Sequence, residues 1–149
     1  MHHFSSACSI QVPDSDTVVI TGGFDGSNGV RVQKFSQHGA SEQMPDMQQS
    51  RLQHQHACGY YYQGERLVSE NCNIKLILFV TIAPQVYLVT GGWGPGYLTS
   101  TEILVEGSAA WIYSGALPYP KVGLRAATLN NKLIVTGTLH ISISDIMLY

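Results

Sequence analysis

An all-β fold made of repeated antiparallel sheets is what this sequence predicts, on three observations. The run Thr17-Val18-Val19-Ile20-Thr21-Gly22-Gly23 returns as Val86-Tyr87-Leu88-Val89-Thr90-Gly91-Gly92, and again as Lys132-Leu133-Ile134-Val135-Thr136-Gly137. Val, Ile, Tyr and Thr suit a pleated strand covered on both faces, and none of the runs has the 3.6-residue period of a helix. Each run closes on glycine, which takes φ > 0 or lets another backbone approach, as a strand needs where it stops and turns at a crowded edge. Gly22, Gly23, Gly91, Gly92 and Gly137 are therefore structural punctuation.

The elements fall into three successive units covering residues 1–149. In the first, about 1–49, Ser9-Ile10-Gln11-Val12 and Val18-Val19-Ile20 form a hairpin around Pro13-Asp14-Ser15-Asp16, followed by Val30-Arg31-Val32-Gln33-Lys34-Phe35 and an exit at Met44-Pro45. The second, about 50–118, opens on Arg51, His54, Ala57 and Cys58, passes the Gly91-Gly92 mark and continues as the strand Thr101-Glu102-Ile103-Leu104-Val105. Trp111 and the exit Leu117-Pro118 close it. The third, about 119–149, runs from Lys121 through Ala126-Ala127-Thr128-Leu129, turns at Asn130-Asn131, and finishes with Asp145-Ile146-Met147-Leu148-Tyr149 as its last strand.

Spacing identifies the kind of repeat. Gly91 and Gly137 lie 46 residues apart, whereas Gly22 and Gly91 lie 69 apart. A period of about 50 with a strand ending in Gly-Gly is the kelch type of propeller blade. The chain resembles the kelch family further in the basic residue Arg51 and His54 near a first strand, the aromatic Trp111 on a fourth strand, and the hydrophobic-Pro exits. The resemblance implies an incomplete kelch-type β-propeller made of consecutive antiparallel four-stranded blades, with His54 and Trp111 in structural positions. Propellers close with about 4–8 blades, and this chain holds two and most of a third. A fragment of a longer protein is expected, or self-association through the open ends of the stack.

The long first interval is located by taking Cys8 and Cys58 as equivalent positions. Cys8 to Gly22 is 14 residues and Cys58 to Gly91 is 33, a surplus of 19 that falls at about 67–85. Its apolar stretch, 74–82, is too short to span a bilayer, which takes about 20 apolar residues. Three readings stay open: translated non-coding sequence, an extra edge strand, or an element touching a partner or membrane. Cys8 and Cys58 themselves read as packed core thiols, since the third unit has Ala126 at the matching place and a small buried side chain satisfies it; a reactive or disulfide role is the other reading. Cys8, Cys58 and Cys72 form neither a disulfide framework nor a CxxC metal pair.

His54, His56, Cys58, Tyr60 and Tyr62 share one side of a strand at period two, but residues two apart diverge by about 6–7 Å per step and do not converge on one ion. No metal, cofactor or catalytic residue is expected. With eight Lys and Arg against ten Asp and Glu, net charge −2 and pI near 6.3, the chain lacks the basic face of a nucleic-acid binder. Residues 1–6 show no basic region followed by an apolar one, so no signal peptide is read there and a cytoplasmic setting is favoured.

What the resemblance implies for function is a non-catalytic scaffold that binds a protein partner through loops at one mouth of the ring. Exposed aromatic and arginine residues most often anchor such interfaces. This points to Trp93, Tyr97, Arg51 and Lys121, with Asp25 and Asn28 on the first unit's loop; the other reading has Trp93 capping the sheet edge after Gly92 and Arg51 satisfying loop carbonyls between blades. Kelch-like propellers also occur in secreted copper oxidases of the galactose oxidase kind and in bacterial sialic acid epimerases, so a fragment of such an enzyme is the alternative. Neither a copper ligand set nor a paired acid/base set maps onto this chain; His38 and Glu42 read as solvated.

Overall fold

The computed structural model describes residues 7–12, 15–23, 29–62, 85–120, 122–129, 132–138 and 144–148. Among them the chain forms eleven strands and no helix: β1 (Cys8–Gln11), β2 (Thr17–Thr21), β3 (Val32–Ser36), β4 (Ser41–Met44), β5 (Leu52–Tyr62), β6 (Gln85–Trp93), β7 (Ser100–Val105), β8 (Ile112–Ala116), β9 (Val122–Leu129), β10 (Lys132–Thr138) and β11 (Ser144–Leu148). They pair in chain order into three antiparallel sheets, β1-β2-β3-β4, β5-β6-β7-β8 and β9-β10-β11. The three glycine-closed runs are β2, β6 and β10, the second strand of each sheet.

The sheets stack face to face in sequence, β1 against β5 and β5 against β9. This is the blade arrangement of a propeller, here an incomplete β-propeller of two four-stranded blades and one three-stranded blade. The middle strand β6 explains why these runs read as continuous rather than alternating. Successive side chains point to opposite faces: Tyr87 and Val89 join Ile10, Val12, Val19, Val32, Leu104 and Trp111 between blades 1 and 2. Val86 and Leu88 join Ile103, Leu117, Leu124, Leu133 and Val135 between blades 2 and 3. A strand covered on both sides has no solvent face to make polar.

The positive-φ glycines sit where the sequence marks them, Gly22 at 62° and Gly23 at 85° after β2, Gly91 at 61° and Gly92 at 99° near the end of β6. Gly137 lies where the β9–β10 register shifts, between Thr136 and Thr138. β5 and β6 pair out to Tyr62 opposite Gln85. The 67–85 surplus thus falls in the connection between these two strands, outside the described residues except for Gln85.

The cysteine expectation is corrected. Cys8 and Cys58 are not free core thiols but a disulfide, with Cα atoms 6.1 Å apart. Nor are they equivalent positions. Cys8 stands opposite Thr21, and the matching threonine of blade 2, Thr90, stands opposite Ala57; Cys58 is one residue further on, opposite Val89. Because side chains alternate, a one-residue offset reverses the face. Truly equivalent cysteines would both point the same way around the stack. The offset turns Cys8 toward blade 2 and Cys58 toward blade 1, so the two sulfurs meet across the junction.

Candidate partner-binding loop face

Hairpin geometry gathers several sequence-predicted residues at one end of blade 2. Leu52 at the start of β5 stands opposite Trp93 at the end of β6, so the linker entering the blade and the β6–β7 connection lie side by side. That connection folds on itself. Trp93 and Tyr97 form an isolated antiparallel bridge, Gly94 N donates to Gly96 O at 2.9 Å and Leu98 N to Gly92 O at 2.9 Å. Buried Leu98 anchors its base. A Cβ placed on Gly94 would meet the Ser50 carbonyl oxygen, so only glycine lets the loop rest on the linker this closely.

On this frame the Trp93 and Tyr97 rings pack edge to face, centroids 4.8 Å apart, a favoured geometry for aromatic pairs. Trp93 is half-buried and Tyr97 is 53% exposed. The linker leaving blade 2 starts beside the same loop, Leu117 N donating to Thr99 O at 2.7 Å, and carries the exposed Tyr119. Tyr119 belongs to the segment Tyr119-Pro120-Lys121 entering the third unit, a candidate loop by sequence in which Lys121 is the favoured contact.

Arg51 has a different fate from the one expected of an interface residue. It is fully buried. Its Nη1 donates to Gly91 O at 2.5 Å, and its Nη2 donates to Ser100 Oγ and to Glu102 Oε1, both at 2.9 Å. Glu102, equally buried, also accepts from the backbone amides of Gln48 and Gln49, at 2.6 Å and 3.2 Å. The Arg51 backbone meanwhile bonds to blade 1, its N to Gly29 O and its O from Gly23 N. One ion pair thus fastens the linker between blades 1 and 2 to both. Desolvation lowers the Arg51 pKa and Glu102 opposes that shift; a guanidinium stays charged regardless.

The remaining predicted residues divide clearly. Trp111 is fully buried, its indole Nε1 donating to Pro45 O of blade 1 at 2.8 Å. His54 lies in β5, its side chain outside the described residues, as are Asp25, Asn28 and Lys121 altogether. Cys58 is taken up by the disulfide and so offers no thiolate to the His54–Tyr62 series. Among the described residues no group of three or more His, Cys, Asp or Glu is placed to hold a metal, and no helix is long and apolar enough to cross a membrane. The Tyr87 phenol is pushed up to about 12, first by burial and then by the Glu106 and Glu42 carboxylates, so it stays neutral at ordinary pH inside the first junction.

No family model matches the chain, and no curated protein matches it. Solved structures do, 63 chains of them, so the likeness lies in fold rather than in sequence. A solved structure of YjhT superposes with a TM-score of 0.64 at 13% identity, covering 99% of this chain. The chain spans 43% of the length of that structure's chain.

Proposed function

We propose that this chain is a non-catalytic kelch-type module that binds a protein partner through the loop end of its blades. The observation that carries the reading is the Trp93–Tyr97 pair, an aromatic contact held on a braced loop with one ring exposed. Rigid aromatic side chains supply contact area at low entropic cost, which is why they dominate interface energetics. Tyr119 is a second exposed aromatic, on the linker that starts beside this loop. Arg51, expected as a contact, instead holds the floor beneath it.

The reading is tested by placing a photo-crosslinking residue at position 97 and, as control, at Ser108 in the exposed β7–β8 turn at the opposite end of the blade. A single protein adduct at 97, absent at 108, is expected. Trp93→Ala should weaken binding of that protein by roughly tenfold or more, as loss of an interface anchor does. Equal adducts at both positions, or unchanged affinity in Trp93→Ala, would remove the loop face from consideration.

The same proposal includes continuation of the stack. On the free face of blade 1 an open groove of about 320 Å³ is lined by Gln11, Asp16, Val18 and Phe35, among others. Val18 pairs with Phe35 as Tyr87 pairs with Leu104. In blade 2 those two positions are covered by the neighbouring sheet, and a further sheet would cover them in blade 1.

A further inference from the structure

We propose that the Cys8–Cys58 bond is a redox-operated latch on blade 1, dispensable for stacking the sheets but setting how readily the first blade separates from the second. β1 and β5 lie against one another but belong to different sheets with no ladder between them. The other described ties at this junction sit elsewhere. Arg51 and Glu102 fasten the linker, the Trp111 indole reaches Pro45 after β4, and Lys34 Nζ lies 3.9 Å from Glu106 Oε1 between β3 and the end of β7. Among the described residues the disulfide is the one covalent tie between the first strands.

The neighbouring junction shows that such a tie is not required for stacking. Register places Ala57 where blade 1 has Cys8, each opposite the threonine before its glycine, and Ala126 where blade 2 has Cys58, opposite Val135 as Cys58 is opposite Val89. The blade 2–3 junction therefore carries an alanine at each of the two places where the blade 1–2 junction carries the sulfurs. It stacks all the same, around Leu88, Leu124 and Leu133. The bond is an addition to an apolar interface already sufficient to join blades.

Access is also asymmetric. Cys58 is 6% exposed, while Cys8 is only half-buried. An incoming thiolate reaches the Cys8 sulfur, expels Cys58 as a thiolate that takes up a proton, and leaves a mixed disulfide. The second thiol of a dithiol reductant resolves it, so that one dithiol becomes a disulfide and the protein gains two thiols. A small-molecule disulfide of the glutathione class runs the exchange in reverse. Opening the bond releases a loop with a sequence separation of 50 residues, and the constraint lost falls on β1 and β5 rather than on blade 3.

The test uses the whole chain, oxidised with glutathione disulfide and then either kept or reduced with a dithiol. Mass measurement after alkylation should find Cys72 alone carrying an alkyl or glutathionyl group in the oxidised protein, and three alkylated cysteines in the reduced. Amide exchange in β1 should quicken by at least about tenfold on reduction while β9 and β10 stay unchanged, since local opening follows local constraint. A Cys8→Ala, Cys58→Ala double variant should exchange like the reduced protein under both conditions and keep the same β-sheet spectrum. Three alkylated cysteines in the oxidised protein, a bridge mapped to Cys72, or β1 exchange indifferent to reductant would each overturn the latch. So would loss of the β spectrum on reduction, because the bond would then be needed for the fold itself.

Discussion

Between blades 1 and 2 the contact surface carries a disulfide, a buried arginine–glutamate pair, an indole hydrogen bond and a half-exposed ion pair, all laid over an apolar layer. Between blades 2 and 3 the described apolar contacts are Val86, Leu88, Ile103 and Leu117 against Leu124, Leu133 and Val135, and on the same face of blade 2 the buried Thr90 and Thr101 hydroxyls bond to each other at 2.6 Å. Strand β6 of blade 2 contributes to both junctions, because its alternate residues face opposite ways. Stacking by itself therefore needs only apolar burial, at about 1.5–3 kcal/mol for each large side chain removed from water. The polar and covalent features of the first junction do something narrower. The Arg51–Glu102 pair fixes where the linker at 48–51 enters blade 2, and with it the floor of the aromatic loop, while the disulfide ties β1 to β5.

That comparison is tested most severely at Glu102. Glu102→Gln leaves a guanidinium buried among carbonyls and hydroxyls without its counter-charge, and losing one partner of a buried pair costs about 3–5 kcal/mol. Denaturant unfolding should show a loss in that range. Amide exchange should assign it to the linker and blade 1 before blade 3. A loss below about 1 kcal/mol would place the pair among exposed ion pairs, which contribute little.

The second junction is probed by Leu133→Ala. Leu133 is fully buried and abuts Gly59, where an added Cβ would land on the Leu133 side chain. Truncation of a buried leucine costs about 2–5 kcal/mol, depending on how far the cavity collapses. The expected pattern is the reverse of that for Glu102→Gln, with faster exchange in β9 and β10 and β1 protected. Faster exchange throughout the chain would mean that the junctions do not fail separately.

The strands were legible in the sequence because β-branched residues in short, glycine-closed runs leave few alternatives. Successive units at kelch-like spacing then made a stack of blades the natural arrangement. The outer strands were harder. β8 is exposed along its whole length and β4 reads Ser-Glu-Gln-Met, neither of which carries a buried-strand signal.

At the site, Trp93 and Tyr97 were legible as loop aromatics and Arg51 as a residue that satisfies loop carbonyls between blades, whereas its buried ion pair was not legible. Its partner Glu102 lies 51 residues away, and only the fold turns a charge within Thr-Glu-Ile-Leu-Val into an acceptor for a linker. The cysteine pairing was hidden by a single residue of register. Counting from each cysteine to its glycine mark does not reveal a shift of one, and that shift decides which face a strand residue occupies.

Both junctions repeat one stacking geometry, and the offset of Cys8 and Cys58 follows from its face-to-face register. It is tested most directly by building that offset into the second junction as Ala57→Cys with Ala126→Cys, in a chain whose Cys8, Cys58 and Cys72 are replaced by alanine. The new pair should form an intramolecular bridge under the oxidising conditions that close Cys8–Cys58, read as two unalkylated cysteines by mass and a peptide linking β5 to β9. Two free thiols under those conditions, in a chain that retains its β-sheet spectrum, would contradict it.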